Sequence, residues 1–199
     1  MPIVLASASP RRQELLKNAG IEFLVKPANI PETRREGEAP QAFAERMAKE
    51  KARAVWTGTK EEDECVLGAD TVVIVGATGV SPVHPELILG KPADQQDAAR
   101  MLRLLSGRKH QVITGVCLIG SDFEDVRSET TAVYFSALSD ADIRDYIATG
   151  EPMDKAGAYA IQGMASRWIS KIEGDYSNVV GLPVTLVLEM LRKHQLSGS

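Results

Sequence analysis

The chain has 199 residues, 44% of them hydrophobic and 25% charged, an ordinary globular composition with length enough for a substantial core. A formal net charge of -4 argues against a general nucleic-acid coat, so clustered arginines read as a local site. Cys65 and Cys117 lie far apart without metal-ligand spacing, which suits a reducing cytoplasm; no apolar run reaches membrane-spanning length, and the start lacks the features of a secretory signal.

Residues 3–6 read as a short apolar strand that breaks at Ser7-Ala8-Ser9-Pro10-Arg11-Arg12 into an amphipathic helix over 10–19, closed by Gly20. Ser9 is a favoured N-cap, and Pro10 suits the first helical position because its missing N–H would have had no partner there. The free N–H groups and positive dipole end of such a helix stabilise an anion. Ser7 and Ser9 add hydroxyls. Arg11 and Arg12 add guanidinium forks that match phosphate oxygens, in a first turn where a cation gains nothing from the dipole. The plainer alternative is a solvated basic turn, since neither a Walker loop nor the dinucleotide glycines are present.

A second strand is expected over 23–25, followed by a polar connection over 27–39 that contains Glu32. Pro40 opens a helix to about Trp56, with Phe43, Met47 and Ala54 on or near one face; Lys49, Lys51 and Arg53 form a basic side whose plain reading is a solvated face. Residues 66–75 are a nearly continuous apolar run, as in a strand buried on both faces. Residues 76–92 are rich in Gly and Pro and read as a loop or loose hairpin. Asp94 then caps a helix to about Leu105, with Asp97 in its first turn. Longer antiparallel strands are expected over 111–119 and 126–138, around Gly120-Ser121-Asp122. Ser139 and Asp142 start a helix ending at Gly150. The last third holds a loop-rich stretch, a strand over 168–172, a closing helix over 183–193 and a frayed tail over 195–199.

Chemistry is expected where charge interrupts apolar or glycine-rich surroundings. Asp70 stands inside the apolar run, and a buried carboxylate needs a partner: a metal ion, a lysine or a reacting water would each serve, as would backbone amides in a purely structural role. Glu32 could supply a second carboxylate or be simply exposed. Lys91 sits between Gly90 and Pro92, which fixes where its ammonium points. The segment Asp154-Lys155-Ala156-Gly157-Ala158-Tyr159-Ala160-Ile161-Gln162-Gly163 sets a charged pair and an amide among small residues. Such residues admit a ligand to the backbone, and a Gln side chain offers donor and acceptor to a base edge; a tight structural turn is the alternative. His84, His110 and His194 are scattered and take no role.

Ser7-x-Ser9-Pro10-Arg11-Arg12-x-Glu14-Leu15-Leu16, Lys49-Glu50-Lys51-Ala52, Leu67-Gly68-Ala69-Asp70-Thr71-Val72-Val73, Gly90-Lys91-Pro92, Met101-Leu102-x-x-Leu105-Ser106-Gly107, Thr114-Gly115-Val116 and Asn178-Val179-Val180-Gly181-Leu182-Pro183 together resemble the Maf family of nucleoside triphosphate pyrophosphatases. The motifs follow that family's order over nearly the whole chain. The resemblance implies one domain over 1–199 with an elongated α/β fold, a mixed sheet flanked by helices, of the inosine-triphosphatase type, and the nucleotide in a cleft between two lobes. It implies hydrolysis between the α and β phosphates with a divalent metal such as Mg²⁺ or Mn²⁺. Asp70 would then be proton acceptor and metal contact, with Glu32 near the metal. Arg11, Arg12, Lys51 and Lys91 would neutralise the triphosphate beside Ser7 and Ser9, and a cation near Asp70 is expected to hold its pKa low. Arg11, Thr71 and Gln162 match positions tied to specificity, and the Gln162 segment is similar to the branch acting on dTTP and UTP. The resemblance also suggests a homodimer. Two readings compete: a 7-methyl-GTP-type enzyme of the same family, and a cell-division regulator that binds nucleotide without hydrolysing it. Residues 76–88 form a longer, more proline-rich connection than the short hairpin usual in bacterial members, and Gly90 stands where an acidic residue often precedes the Lys-Pro pair.

Overall fold

The structure is a computed structural model that describes residues 3–56, 65–76 and 87–196. Its chain forms two compact units, one made of residues 1–71, 114–129 and 177–199, the other of 72–113 and 130–176. Among the described residues seven strands form one sheet, in the order β2 (Phe23–Val25), β1 (Ile3–Leu5), β3 (Cys65–Val75), β5 (Lys109–Ile119), β6 (Glu124–Phe135), β7 (Ile169–Glu173), with β4 (Leu87–Leu89) paired to β3.

In the first unit, β1 (Ile3–Leu5) lies between β2 (Phe23–Val25) and β3 (Cys65–Val75) and runs parallel to both. Parallel neighbours need a crossover, and α1 (Pro10–Asn18) supplies it between β1 and β2. The period of two along these strands divides the core. Ile3, Leu5, Cys65, Leu67, Val116 and Leu118 pack with Leu16 of α1 and with Val187, Met190 and Leu191 of α6 (Val184–Lys193). Val4, Val66, Cys117 and Ile119 pack instead with Ala48, Ala52 and Val55 of α2 (Pro40–Trp56). With helices on both faces, the residue 66–75 run has no solvated side and so lacks polar alternation. At the far end of α6, Leu196 donates its N–H to Leu191 O and packs on the first of these clusters. Residues 197–199 lie outside the described residues.

Helix α2 begins and ends where expected, but its buried face differs. Ala54 is exposed, while Phe43, Ala44, Met47, Ala48, Lys51, Ala52 and Val55 are buried, so Lys51 leaves the basic side and joins the apolar one. The reason is close packing. A Cβ on Gly68 of β3 would fall on the carbonyl oxygen of Ala48 and within 2.8 Å of Ala52 N, and one on Gly115 of β5 (Lys109–Ile119) would fall on the Ala44 carbonyl. Two glycines on neighbouring strands thus meet the alanine stripe of α2, backbone against backbone.

In the second unit, β4 (Leu87–Leu89) pairs antiparallel with β3, Val73 opposite Leu89. Residues 77–86, which hold His84 and most of the long 76–88 connection, lie outside the described residues. Helix α3 (Gln95–Leu105) is capped by Asp94, whose side chain accepts the Asp97 N–H at 2.8 Å. Helix α4 (Asp140–Ala148) starts with the expected capping box between Ser139 and Asp142. Strand β6 (Glu124–Phe135) stops short of Leu138, and β7 (Ile169–Glu173) pairs antiparallel with it, with an irregularity between Tyr134 and Phe135. The loop-rich stretch contains 3₁₀ turns at Glu151–Asp154, Ala156–Ala158 and Met164–Trp168, and a short helix, α5 (Tyr176–Val180), follows β7; all are too short to show a period.

Gly68→Ala is expected to lower the free energy of unfolding by about 3 kcal/mol, the upper end of ordinary overpacking, because helix backbone rather than a flexible side chain stands in the way. Urea denaturation of the variant against wild type measures this, with Gly76→Ala, where nothing lies within 4 Å, as the control.

Candidate active site

The first unit collects most of the expected residues around the end of β1 and the middle of β3. Ser9 is the N-cap of α1, its Oγ accepting the Arg12 N–H at 3.5 Å, and Ser7 Oγ accepts the Ser9 N–H at 3.3 Å. The α1 start is therefore built as the sequence suggests. Arg11 is half-buried in its first turn.

Arg12 has a different setting. Its side chain is buried; Nε donates to Gly181 O at 2.8 Å, Nη1 to Ser7 Oγ at 3.1 Å and Ala69 O at 2.9 Å, and Nη2 to Thr71 Oγ1 at 3.1 Å. Internal oxygens thus occupy most of the donor fork, which is why a guanidinium tolerates this burial at a helix start. Burial pulls its pKa below the ordinary arginine value, opposed by the charges of Asp70 and Glu32. Thr71 Oγ1 also lies 3.0 Å from Thr114 Oγ1, which donates to Asn178 O at 3.2 Å. Arg12, Ser7, Thr71, Thr114 and Gly181 form one polar network. Thr114 and Gly181 carried no individual role in the sequence; their only signal was membership of the Thr-Gly-Val and Asn-Val-Val-Gly-Leu-Pro motifs.

Asp70 is 6% exposed on β3, and Lys51 Nζ of α2 lies 2.5 Å from its Oδ1. The same ammonium stands 2.6 Å from Glu32 Oε1, so the connection over 27–39 and the buried strand meet at one cation. Of the partners the sequence left open for Asp70, the lysine is the one found. Burial nevertheless wins over charge: desolvation lifts the Asp70 carboxyl above the ordinary aspartate value, and Lys51 and Arg12 only partly offset it. The expectation of a low pKa is corrected here, because one ammonium and a distant guanidinium replace less than the water that the carboxylate has lost.

A hard divalent cation such as Mg²⁺ takes one or two carboxylates and completes its shell with water and phosphate oxygens. Asp70 and Glu32, already converging on one positive charge, fit that donor set. Among the described residues no three of His, Cys, Asp and Glu converge, so the pair suits a cation shared with a substrate rather than an all-protein cage.

Lys91 and Gln162 belong to the second unit, and both are exposed. The segments that carry them meet through the backbone: Gly157 donates its N–H to Gly90 O at 3.0 Å. Gly157 has φ 71° and packs against Val73, where a Cβ would press on all three side-chain carbons. The small residues of this segment therefore serve close packing and a left-handed turn.

Since the folded-state pKa of Asp70 is raised, its protonated form is the one the fold favours. Its contribution is fully present below the ordinary aspartate range and is lost as pH rises through the raised value. Denaturation curves at several pH values are expected to show Asp70→Asn gaining on wild type as pH rises from 4 toward 8. A constant difference across that range would contradict the raised value.

A family model described as Maf-like protein matches residues 2–194. The dTTP/UTP pyrophosphatase of Koribacter versatilis is 54% identical over 97% of this chain and 94% of its own length; that of Geobacter sulfurreducens is 49% identical over 96% and 95%, and that of Symbiobacterium thermophilum 49% over 95% and 92%. The solved Ham1 protein of Staphylococcus aureus aligns over 98% of this chain and 100% of that one, at 14% identity and a TM-score of 0.46. With a family match across nearly its full length and relatives at about half identity beside the motifs that build this site, the chain belongs to the Maf family.

Proposed function

We propose that this protein hydrolyses dTTP and UTP, and related pyrimidine nucleoside triphosphates, to the nucleoside monophosphate and pyrophosphate. The observation that carries the reading is the buried Asp70 facing Lys51 with Glu32 on the same ammonium, an arrangement that mere nucleotide binding does not require. The names of the half-identical relatives support the choice of substrate.

In this reading Asp70 is the proton acceptor. The water oxygen bonds to one of the two phosphorus atoms flanking the α–β bridge, the bond from that phosphorus to the bridging oxygen breaks, nucleoside monophosphate and pyrophosphate separate, and the water proton passes to Asp70. Lys51 holds its Oδ1. A carboxyl lifted by burial is the stronger base once ionised. A bound Mg²⁺ or Mn²⁺, held by Asp70 and Glu32, would polarise phosphate oxygens and offset charge developing on them. Phosphoryl chemistry of this kind depends mainly on positioning and charge stabilisation. Arg11, Lys51 and Lys91 are assigned to the triphosphate, with Ser7 and Ser9 at the α1 start. Arg12 acts mainly by fixing Ser7 and Thr71. Thr71 and Gln162, with Arg11, are assigned to base selection. Buried free thiols at Cys65 and Cys117, both lifted to about 12 by burial and so unreactive, suit a reducing cytoplasm.

Incubation with Mg²⁺ or Mn²⁺ and a panel of nucleoside triphosphates is expected to release pyrophosphate fastest from dTTP and UTP, and chelation is expected to stop it. No pyrophosphate from any nucleotide would end the enzyme reading, and preference for 7-methyl-GTP would end the substrate assignment. Asp70→Asn is expected to cut kcat by about 10³-fold or more, the scale of losing a general base together with a metal contact, while nucleotide binding persists.

A further inference from the structure

Gln162 is exposed, yet the turn that presents it is held from both ends by a pair of side chains outside the motifs named above. Tyr146, fully buried in α4, donates its hydroxyl to Glu151 Oε1 at 2.7 Å and accepts the Ala160 N–H at 3.2 Å. Glu151 Oε2 accepts the Met164 N–H at 3.2 Å. The path Ala160 N–H, Tyr146 hydroxyl, Glu151 carboxylate, Met164 N–H therefore spans residues 160–164, and Gly163 N–H to Ala160 O at 3.2 Å closes the turn internally. Gly163 makes room for this: a Cβ there would fall on the Glu151 carboxylate. The Glu151 end is itself fixed, because its N–H donates to Thr149 Oγ1 at 3.1 Å and Lys155 Nζ donates to its carbonyl at 2.6 Å.

We propose that Tyr146 and Glu151 are positioning residues that clamp the 160–164 turn in the one form that sets the Gln162 amide against a pyrimidine base, so that base selection depends on a carboxylate that never touches the substrate. This rests on the pyrimidine triphosphate reading above. A free turn would let the amide rotate and the backbone wander, and the ordering cost would then fall on substrate binding. Gly163 belongs to the same device. Its replacement by alanine meets only the tip of a flexible side chain, so the backbone can stay while the carboxylate is pushed out.

Two measurements test the clamp. Amide hydrogen exchange needs no substrate: Glu151→Ala and Gly163→Ala are expected to speed exchange at Met164 by about tenfold or more, the scale of one lost hydrogen bond to a charged group, while Tyr146→Phe does so at Ala160. Steady-state kinetics is expected to show Glu151→Ala raising KM for UTP about five- to tenfold and eroding the preference for UTP over CTP, as Gln162→Ala does, with kcat within about twofold of wild type. Glu151→Gln, whose amide oxygen still accepts one of the two donors, should fall between. Unchanged protection at Ala160 and Met164 overturns the clamp whatever the activity. Altered protection with an unchanged KM and preference overturns its role in base selection, and a large fall in kcat would make Glu151 catalytic rather than positioning. A wild-type protein that releases no pyrophosphate ends the substrate reading and with it the role in base selection, while the exchange data still judge the clamp.

Discussion

The site depends on how closely α2 lies on the sheet. Gly68 and Gly115 leave no side chains between strand and helix, and Ala44, Ala48 and Ala52 present the thinnest helical face the chain could offer. At ordinary helix-to-sheet spacing a lysine on that face would reach into a cavity or turn back to solvent. Here it is brought within hydrogen-bonding distance of a carboxylate on the adjacent strand. Small residues in the core therefore act on the chemistry without touching it. The loss of packing area at the glycines is offset by close backbone contact along the stripe.

That contact also explains why Asp70 and Lys51 are buried. A buried ion pair costs several kcal/mol of desolvation per ion and is poor evidence of stability in itself. A second carboxylate, Glu32, shares the ammonium from a connection that carries no regular structure, so the assembly is not a simple matched pair. Arg12 adds a second positive charge that both carboxylates feel, so the centre is a network of two acids and two bases.

Most of the frame was legible in the sequence. The ends of α1, α2, α3 and α4 follow from Pro10, Pro40, Asp94 and Ser139, residues whose backbone chemistry marks a helix start locally. Asp70 was visible because a lone carboxylate in a run of aliphatic residues has no innocent setting. Lys51 came only from the family resemblance, since the basic pattern of its neighbours describes a solvated face equally well; its partner nineteen residues away is what distinguishes it. Ala54 was misplaced for a related reason: the helical period gives a stripe, but the glycines opposite decide which of several small residues lie at its centre. Arg12 read as a ligand for an anion, and its backbone and hydroxyl acceptors come from Ala69, Thr71 and Gly181, distances that no local pattern encodes. The 3₁₀ turns and α5 are too short for any periodicity.

The reach of Arg12 has a consequence for how the protein is made. Its guanidinium joins the end of the first strand to Ala69 and Thr71 in the middle of the chain and to Gly181 near its close. During synthesis the first two segments can pair early, but one buried N–H lacks its acceptor until residue 181 has left the ribosome. The Arg12 network therefore stays incomplete for most of the chain's elongation and closes only when the turn ahead of α6 arrives.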